Sequence, residues 1–254
     1  MEQGKVETTI NNGVAVIKFF HPQSNSLPGA LLKSLANEIE KAGQDKAAKV
    51  ILLKSEGEKT FCAGASFDEL VAISDFETGK KFFSGFASVI NAMRKAPKFV
   101  IARVQGKAIG GGVGLAAAAD YALAAEATSV KLSELNLGIG PFVVGPAVER
   151  KIGNSAFAQM SINAGRWFSA EWAREKGLFS GICPTLPELD KAADELAGKL
   201  AKSSPEAMAQ LKKIFWEGTE HWDKLLMERA EMSGKLVLSD FTKKFIEDFK
   251  QGVR

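Results

Sequence analysis

Two cysteines and two histidines are all that this 254-residue chain offers for disulfide or soft-metal chemistry. Cys62 and Cys183 are too few and too far apart for a disulfide framework, and with His21 and His221 they form no set of zinc-ligand spacing, so no metal site is expected. Long apolar runs are missing too. No stretch approaches the roughly 18 consecutive apolar residues of a membrane span. Met1 to Lys5 is polar where a secretory leader would carry a charged segment running into an apolar one. The expected location is therefore cytoplasmic, with no membrane partner. Excess charge of one sign is also lacking. A net charge of +3, with lysine and glutamate interspersed, gives no basic field that would call for nucleic acid, although a local basic patch for a phosphorylated ligand stays open. What the chain does have is 46% hydrophobic residues, enough to bury a large core and to exclude disorder as its main state.

The first half alternates two kinds of segment. Val14 to Phe20, Val50 to Lys54 and Phe99 to Val104 are apolar and β-branched, whereas Leu31 to Ala42 and the stretch around Phe76 to Arg94 are amphipathic at helical spacing. That alternation predicts an α/β fold of parallel βαβ units. After Gly138 the pattern turns helical almost throughout, with Ser169-Ala170-Glu171 and Ser204-Pro205-Glu206 reading as helix starts. The last segments, Pro205 to Gly218, Glu220 to Val237 and Asp240 to Lys250, carry apolar stripes: Leu225, Leu226 and Ala230 in one, Phe241, Phe245 and Phe249 in another. Such stripes predict docking onto the core or onto a neighbouring subunit. The reading divides the chain into a core over residues 1–200 and a helical C-terminal region over 201–254.

Two glycine-rich segments follow strands and precede helices. Phe61 to Phe67 (Phe-Cys-Ala-Gly-Ala-Ser-Phe) is the first, and Gly106 to Gly114 (Gly-Lys-Ala-Ile-Gly-Gly-Gly-Val-Gly) is the second, leading into Leu115 and four alanines. Small residues at a helix start let a ligand oxygen approach the backbone, and the unpaired amides there favour developing negative charge. Two such sites can form one oxyanion hole; alternatively the glycines serve only tight turns. A dinucleotide-binding reading fails on detail. Gly-x-Gly-x-x-Gly spacing from Gly110 places Leu115 at the third glycine, and the run to the next strand is too short for a crossover helix.

The two segments in this order, followed by Ser133-Glu134-Leu135-Asn136-Leu137-Gly138, resemble the crotonase (enoyl-CoA hydratase/isomerase) family. The likeness extends to Pro22–Leu27, to Ser169–Leu178 and to Ser204–Lys213. It implies a spiral of ββα units with a helical C-terminal region that mediates trimerisation, and assembly as a homotrimer or a dimer of trimers. It also implies an acyl-CoA substrate with no separate cofactor, coenzyme A being part of that substrate. Carried over by position, the N–H groups of Ala65 and Gly111 would bind the thioester oxygen, and Glu134 would be the general acid/base. Ala63, Gly64, Ser66, Phe67, Gly110, Gly114, Pro141 and Phe142 would line the substrate path.

The carboxylates depart from the familiar pattern. A hydratase of this family carries a glutamate where this sequence has Gly114, Ser133 stands at a common proline, and Ile139 to Pro146 lacks the usual Gly-Gly-Thr-Gln-Arg run. One carboxylate suffices for a double-bond isomerase, while hydration is easier with two. Yet the Gly-Gly-Gly-Val-Gly-Leu, Ser-Glu and Gly-Pro-x-Val-x-x-Pro features together resemble a branch of methylglutaconyl-CoA hydratases. That resemblance favours a hydratase acting on a 2-enoyl-CoA, with a Δ3-Δ2 isomerase and a catalytically weak CoA-thioester-binding protein as alternatives. For Glu134 to work near neutral pH it needs an apolar pocket, with Val113, Leu115 and Phe142 as expected walls. Asp68 and Glu69 read as helix N-terminal charges and Cys62 as buried filler. His21 and His221 lack any partner nucleophile in the sequence, and Lys243, Lys244 and Lys250 read as a solvated face that alternatively reaches a CoA phosphate.

Overall fold

Two sheets grow side by side because three of the long, buried strands are each followed by a short one that leaves the first sheet for a second. The computed structural model describes residues 4–251; the extreme ends of the two regions read from the sequence, 1–3 and 252–254, lie outside them. The chain opens with an antiparallel hairpin, β1 (Lys5–Asn11) and β2 (Val14–Phe20), turned at Asn12 and Gly13, which both take positive φ (50° and 82°). An Asn-Gly pair in that conformation matches the twist of the strands it joins. Helix α1 (Gly29–Gln44) follows, burying Leu32, Leu35, Ala36 and Ile39 on one stripe.

The next three turns repeat one plan. The first is β3 (Val50–Ser55), β4 (Thr60–Cys62), α2 (Phe67–Val71) and α3 (Phe76–Lys95). The second is β5 (Val100–Val104), β6 (Lys107–Ile109) and α4 (Gly111–Ala118). The third is β7 (Tyr121–Ala125), β8 (Ser129–Lys131), a single 3-10 turn at Glu134–Leu137 and α5 (Gly145–Ile162). Then come β9 (Phe168–Ser169), α6 (Ala170–Glu175), β10 (Gly181–Cys183) and α7 (Leu186–Leu200), and the chain ends in α8 (Pro205–Phe215), α9 (Trp222–Leu236) and α10 (Asp240–Lys250). The long strands, with the short β10 at one edge, form a six-stranded sheet ordered β1-β2-β3-β5-β7-β10, and the other short strands a four-stranded sheet ordered β4-β6-β8-β9. This is the crotonase-like spiral of ββα units. Its repeating unit is thus ββα, where the alternation alone suggested βαβ. The helical reading after Gly138 holds for α5 to α10, interrupted by two short strands, β9 pairing with β8 and β10 pairing in parallel with β7.

Ser169 and Ser204 cap α6 and α8 as read, each accepting a hydrogen bond from an N–H in the first turn (Trp172 and Ala207). The C-terminal helices share the core of the spiral, since Trp216, Trp222, Leu226 and Ala230 belong to the same buried cluster as the strands. Helix α9 lies against α3 at a glycine crossing. A Cβ on Gly79 would sit 3.0 Å from the Gly234 carbonyl oxygen, and one on Gly234 would sit 2.7 Å from Lys80 N. No helix among the described residues is long and apolar enough to cross a membrane.

A buried ion pair ties α8 to the sheet. Lys212 Nζ donates to Asp120 Oδ2 (2.6 Å) and to the carbonyls of Met93 (2.8 Å) and Lys98 (3.1 Å). Asp120 in turn accepts from Val100 N (2.7 Å) and Trp216 Nε1 (2.8 Å). Every donor of the ammonium is matched, which is what makes its burial tolerable. Asp120→Ala strands that ammonium in the core and should lower the unfolding free energy by about 3–5 kcal/mol. A urea titration would measure this, and a loss below about 1 kcal/mol would show that Lys212 finds another route to neutrality or water.

Candidate active site

Each glycine segment lies where a short strand hands over to a helix, and the parallel pairing of β4 with β6 sets the two handovers next to each other. The contact is so close that side chains are excluded. A Cβ on Gly112 would lie 2.3 Å from the Cys62 carbonyl oxygen. One on Gly64, whose φ is +92°, would lie 3.1 Å from Ile109 O and 3.6 Å from Gly111 N. Glycine is therefore required here by contact and, at Gly64, also by backbone conformation. Leu27 N donates to Gly64 O (2.8 Å) and Ser66 N to Leu27 O (3.3 Å). Ala65 lies between them, and its own N–H is unused by that bridge. Gly110 N donates to Lys131 O (2.9 Å), and α4 then starts at Gly111. Among the described residues neither the Ala65 nor the Gly111 N–H has an acceptor within the chain. Both residues line the same cavity, of about 320 Å³.

Glu134 completes that cavity. It begins the 3-10 turn after β8, the strand beside β6, and a Cβ on Gly110 would sit only 2.9 Å from its Oε1. The residue as a whole is half-buried, but Oε2 is shut away from solvent and has no hydrogen-bond partner. Burial pushes its carboxyl up to about 7, its own backbone N–H pulling weakly the other way. Among the described residues it is the only carboxylate in the lining, which is otherwise apolar apart from Ser133, Ser233 and backbone.

Of the residues singled out in the sequence, Ala63, Gly64, Ala65, Phe67, Gly110, Gly111, Glu134, Pro141 and Phe142 all line this one cavity. Two do not. Ser66 is buried as the cap of α2, its hydroxyl accepting from Glu69 N (3.4 Å). Gly114 lies inside α4 facing Val144, whose Cγ1 would be 2.5 Å from a Cβ there. The expected walls Val113 and Leu115 are also corrected: both are fully buried in the central core, and of the three only Phe142 faces the cavity. The remaining wall comes from three further segments. Phe82, Phe83 and Phe86 come from α3, Ile139, Val143 and Val144 from the loop before α5, and Phe245 and Phe249 from α10. The last two belong to the apolar stripe already visible in the sequence, and the Phe249 ring sits 4.7 Å from that of Phe67.

The other candidates lie outside the cavity. Asp68 accepts from Gln23 Nε2 (2.8 Å), and Glu69 accepts from Gly29 N (2.8 Å) at the start of α1. Cys62 is buried, and burial pushes its thiol up to about 12, so it is packing and no nucleophile. His21 Nδ1 lies 3.2 Å from Ser26 Oγ and burial lowers its pKa, while His221 precedes α9 in an exposed position. Lys243, Lys244 and Lys250 are exposed on α10.

Comparison with known proteins gives the family of the chain. The family model described as Enoyl-CoA hydratase/isomerase covers residues 9–252, and the chain belongs to that family. It is 33% identical to human mitochondrial methylglutaconyl-CoA hydratase over 83% of this chain and 63% of the relative. It is 25% identical to the trans-2-decenoyl-[acyl-carrier-protein] isomerase of Streptococcus mutans over 100% of this chain and 95% of the relative. A crystal structure of an enoyl-CoA hydratase from Mycobacterium avium superposes with a TM-score of 0.86 at 27% identity, covering 97% of this chain and 96% of that one.

The raised Glu134 pKa has a sign that can be checked. Between its ordinary value of 4.5 and about 7 the native state holds a proton that the unfolded chain has released. Stability contributed by this group is therefore full below 4.5 and declines as pH rises to about 7. Comparing unfolding free energies across pH 4.5–8 for the wild type and Glu134→Gln should show this decline in the wild type only. Parallel curves would show that Glu134 titrates normally.

Proposed function

We propose that the chain catalyses proton transfer on an enoyl-CoA thioester with Glu134 as its acid/base. The thioester oxygen lies between the Ala65 and Gly111 N–H groups, and the segment Ala63 to Phe67 lines the path of the coenzyme. Glu134 takes a proton from the α-carbon of a 3-enoyl thioester. The electron pair spreads onto the thioester oxygen as a dienolate, where the two amides stabilise it without reorganising. The same carboxyl then returns the proton at the γ-carbon, and the double bond has moved into conjugation. One observation carries this reading: a single carboxylate faces two unpaired amides in an apolar cavity, and Val144 fills the space beside Gly114 where a second carboxylate would have to project.

Hydration of a 2-enoyl thioester is the second reading, favoured by the 33% identity to a methylglutaconyl-CoA hydratase. It asks Glu134 to orient the water as well as to move the proton. A homotrimer or dimer of trimers goes with either reading, supported by exposed Ile162, Leu211, Ile214 and Phe215 on α5 and α8.

Product analysis separates the two. A 3-enoyl-CoA converted to its 2-enoyl isomer, with no 3-hydroxyacyl product from crotonyl-CoA or 3-methylglutaconyl-CoA, is expected; rapid formation of a 3-hydroxyacyl product would establish the hydratase. In either case Glu134→Gln should lower kcat/KM by about 10²–10⁴. The wild-type kcat/KM should rise with pH through about 7 and then level, as the carboxylate form becomes available. Equal activity of the two proteins would remove Glu134 from the mechanism.

A further inference from the structure

A second cavity, of about 230 Å³, lies behind the first. Pro141 and Phe142 line both, so the tip of this loop is the partition between them. The Phe142 ring rests over Gly140, where any Cβ would meet it at 2.5 Å, and the ring is half-buried. On the far side the lining includes Phe157, Ser161, Glu149 and Arg229. Helix α9 connects the two spaces. Ser233 lines the first cavity and Arg229 the second, one turn apart, and Ser233 Oγ donates to the Arg229 carbonyl (3.3 Å). The guanidinium therefore stems from a backbone position only about 6 Å along the helix from the wall of the first cavity.

Arg229 differs from the other described arginines in what it holds. Arg94, Arg103 and Arg174 pair with carboxylates, Arg150 donates to backbone carbonyls, and Arg166 stacks on the Phe168 ring. Arg229 is half-buried, makes no ion pair among the described residues, and donates only to the thioether of Met232 (Nη1 to Sδ, 3.6 Å). A guanidinium carries five N–H donors in a planar fork shaped for a carboxylate, so this one is under-used in a space walled by proline and phenylalanine. Glu149 shares the cavity, but it is exposed on α5 and does not pair with Arg229.

The geometry points to the second cavity as a subsite for a carboxylate at the far end of the acyl chain, with Arg229 as the residue that selects a dicarboxylic mono-thioester over a plain enoyl-CoA. This rests on the acyl-CoA reading of the first cavity. Phe142 is the element that must swing for the chain to pass, and its ring now fills the space a side chain at Gly140 would take. Glu149 opposes an incoming anion and tempers the affinity.

Binding of two unreactive thioesters of equal chain length, glutaryl-CoA and pentanoyl-CoA, tests the subsite without relying on turnover. The wild type should bind glutaryl-CoA about ten- to a hundredfold more tightly, the range of one charge-assisted pair in a half-buried site. Arg229→Met should abolish that preference while leaving pentanoyl-CoA within about twofold, and Glu149→Gln should widen the preference. Equal wild-type affinities, or a preference that survives Arg229→Met, would overturn the subsite alone. Failure to bind either thioester would overturn it together with the acyl-CoA reading.

Discussion

The parallel pairing of β4 with β6 is the constraint that the rest of the site inherits. Once these two short strands lie side by side, the turns that follow them are pressed together, with Gly112 on the Cys62 carbonyl and Gly64 on that of Ile109. The close contact strips both turns of side chains and leaves two backbone N–H groups with nothing in the chain to bind. Both N–H groups face the cavity, where a ligand oxygen can satisfy them. The third short strand, β8, extends the same small sheet and delivers Glu134 beside Gly110. The proposed catalytic arrangement is thus a property of the smaller sheet, and the larger one supplies the rigid base from which its strands depart.

Two of the C-terminal helices are held on the core by different means. Helix α9 is seated on α3 through two facing glycines, while α8 is tied to the end of β7 by the matched ion pair of Lys212 and Asp120. The first is a packing contact at backbone distance, and the second depends on every hydrogen bond being made. The first bears directly on the cavities, because Phe82, Phe83 and Phe86 stand on α3, and α9 brings Ser233 and Arg229.

Much of this was legible in the residues. Long apolar strands and amphipathic helices up to Val104 fall where their periodicity places them, because burial on two faces or on one stripe leaves a strong mark. The strand β1 does not stand out, since its side chains alternate between exposed and half-buried and include Lys5, Glu7 and Asn11. The Asn12-Gly13 pair was the available signal for its hairpin. Strands of two or three residues, such as β9 and β10, are too short for any period to show. At the site, Glu134 was marked only by the family resemblance, whereas the glycine loops were readable because their composition is unusual. Helical phase was not: Val113, Gly114 and Leu115 are adjacent in sequence to the amide at Gly111 but turn into the core. The role of α10 was half visible, as a stripe without a destination. Nothing local to Arg229 or Phe157 marks a cavity, since that space exists only where α5, α9 and one loop tip meet.

The short helix α4 also bears on how such a site can change over generations. Gly111, Gly112 and Gly114 each abut a different neighbour: the Phe86 ring, the Cys62 carbonyl and the Val144 side chain. A backbone carbonyl cannot shrink, so position 112 is closed to substitution, whereas position 144 can lose its methyl groups. A second acid at 114 becomes admissible only after Val144 has been reduced. The reverse order passes through a clash at 2.5 Å that the folded helix cannot absorb cheaply. In this chain the two substitutions therefore have a required order, the one at residue 144 coming first.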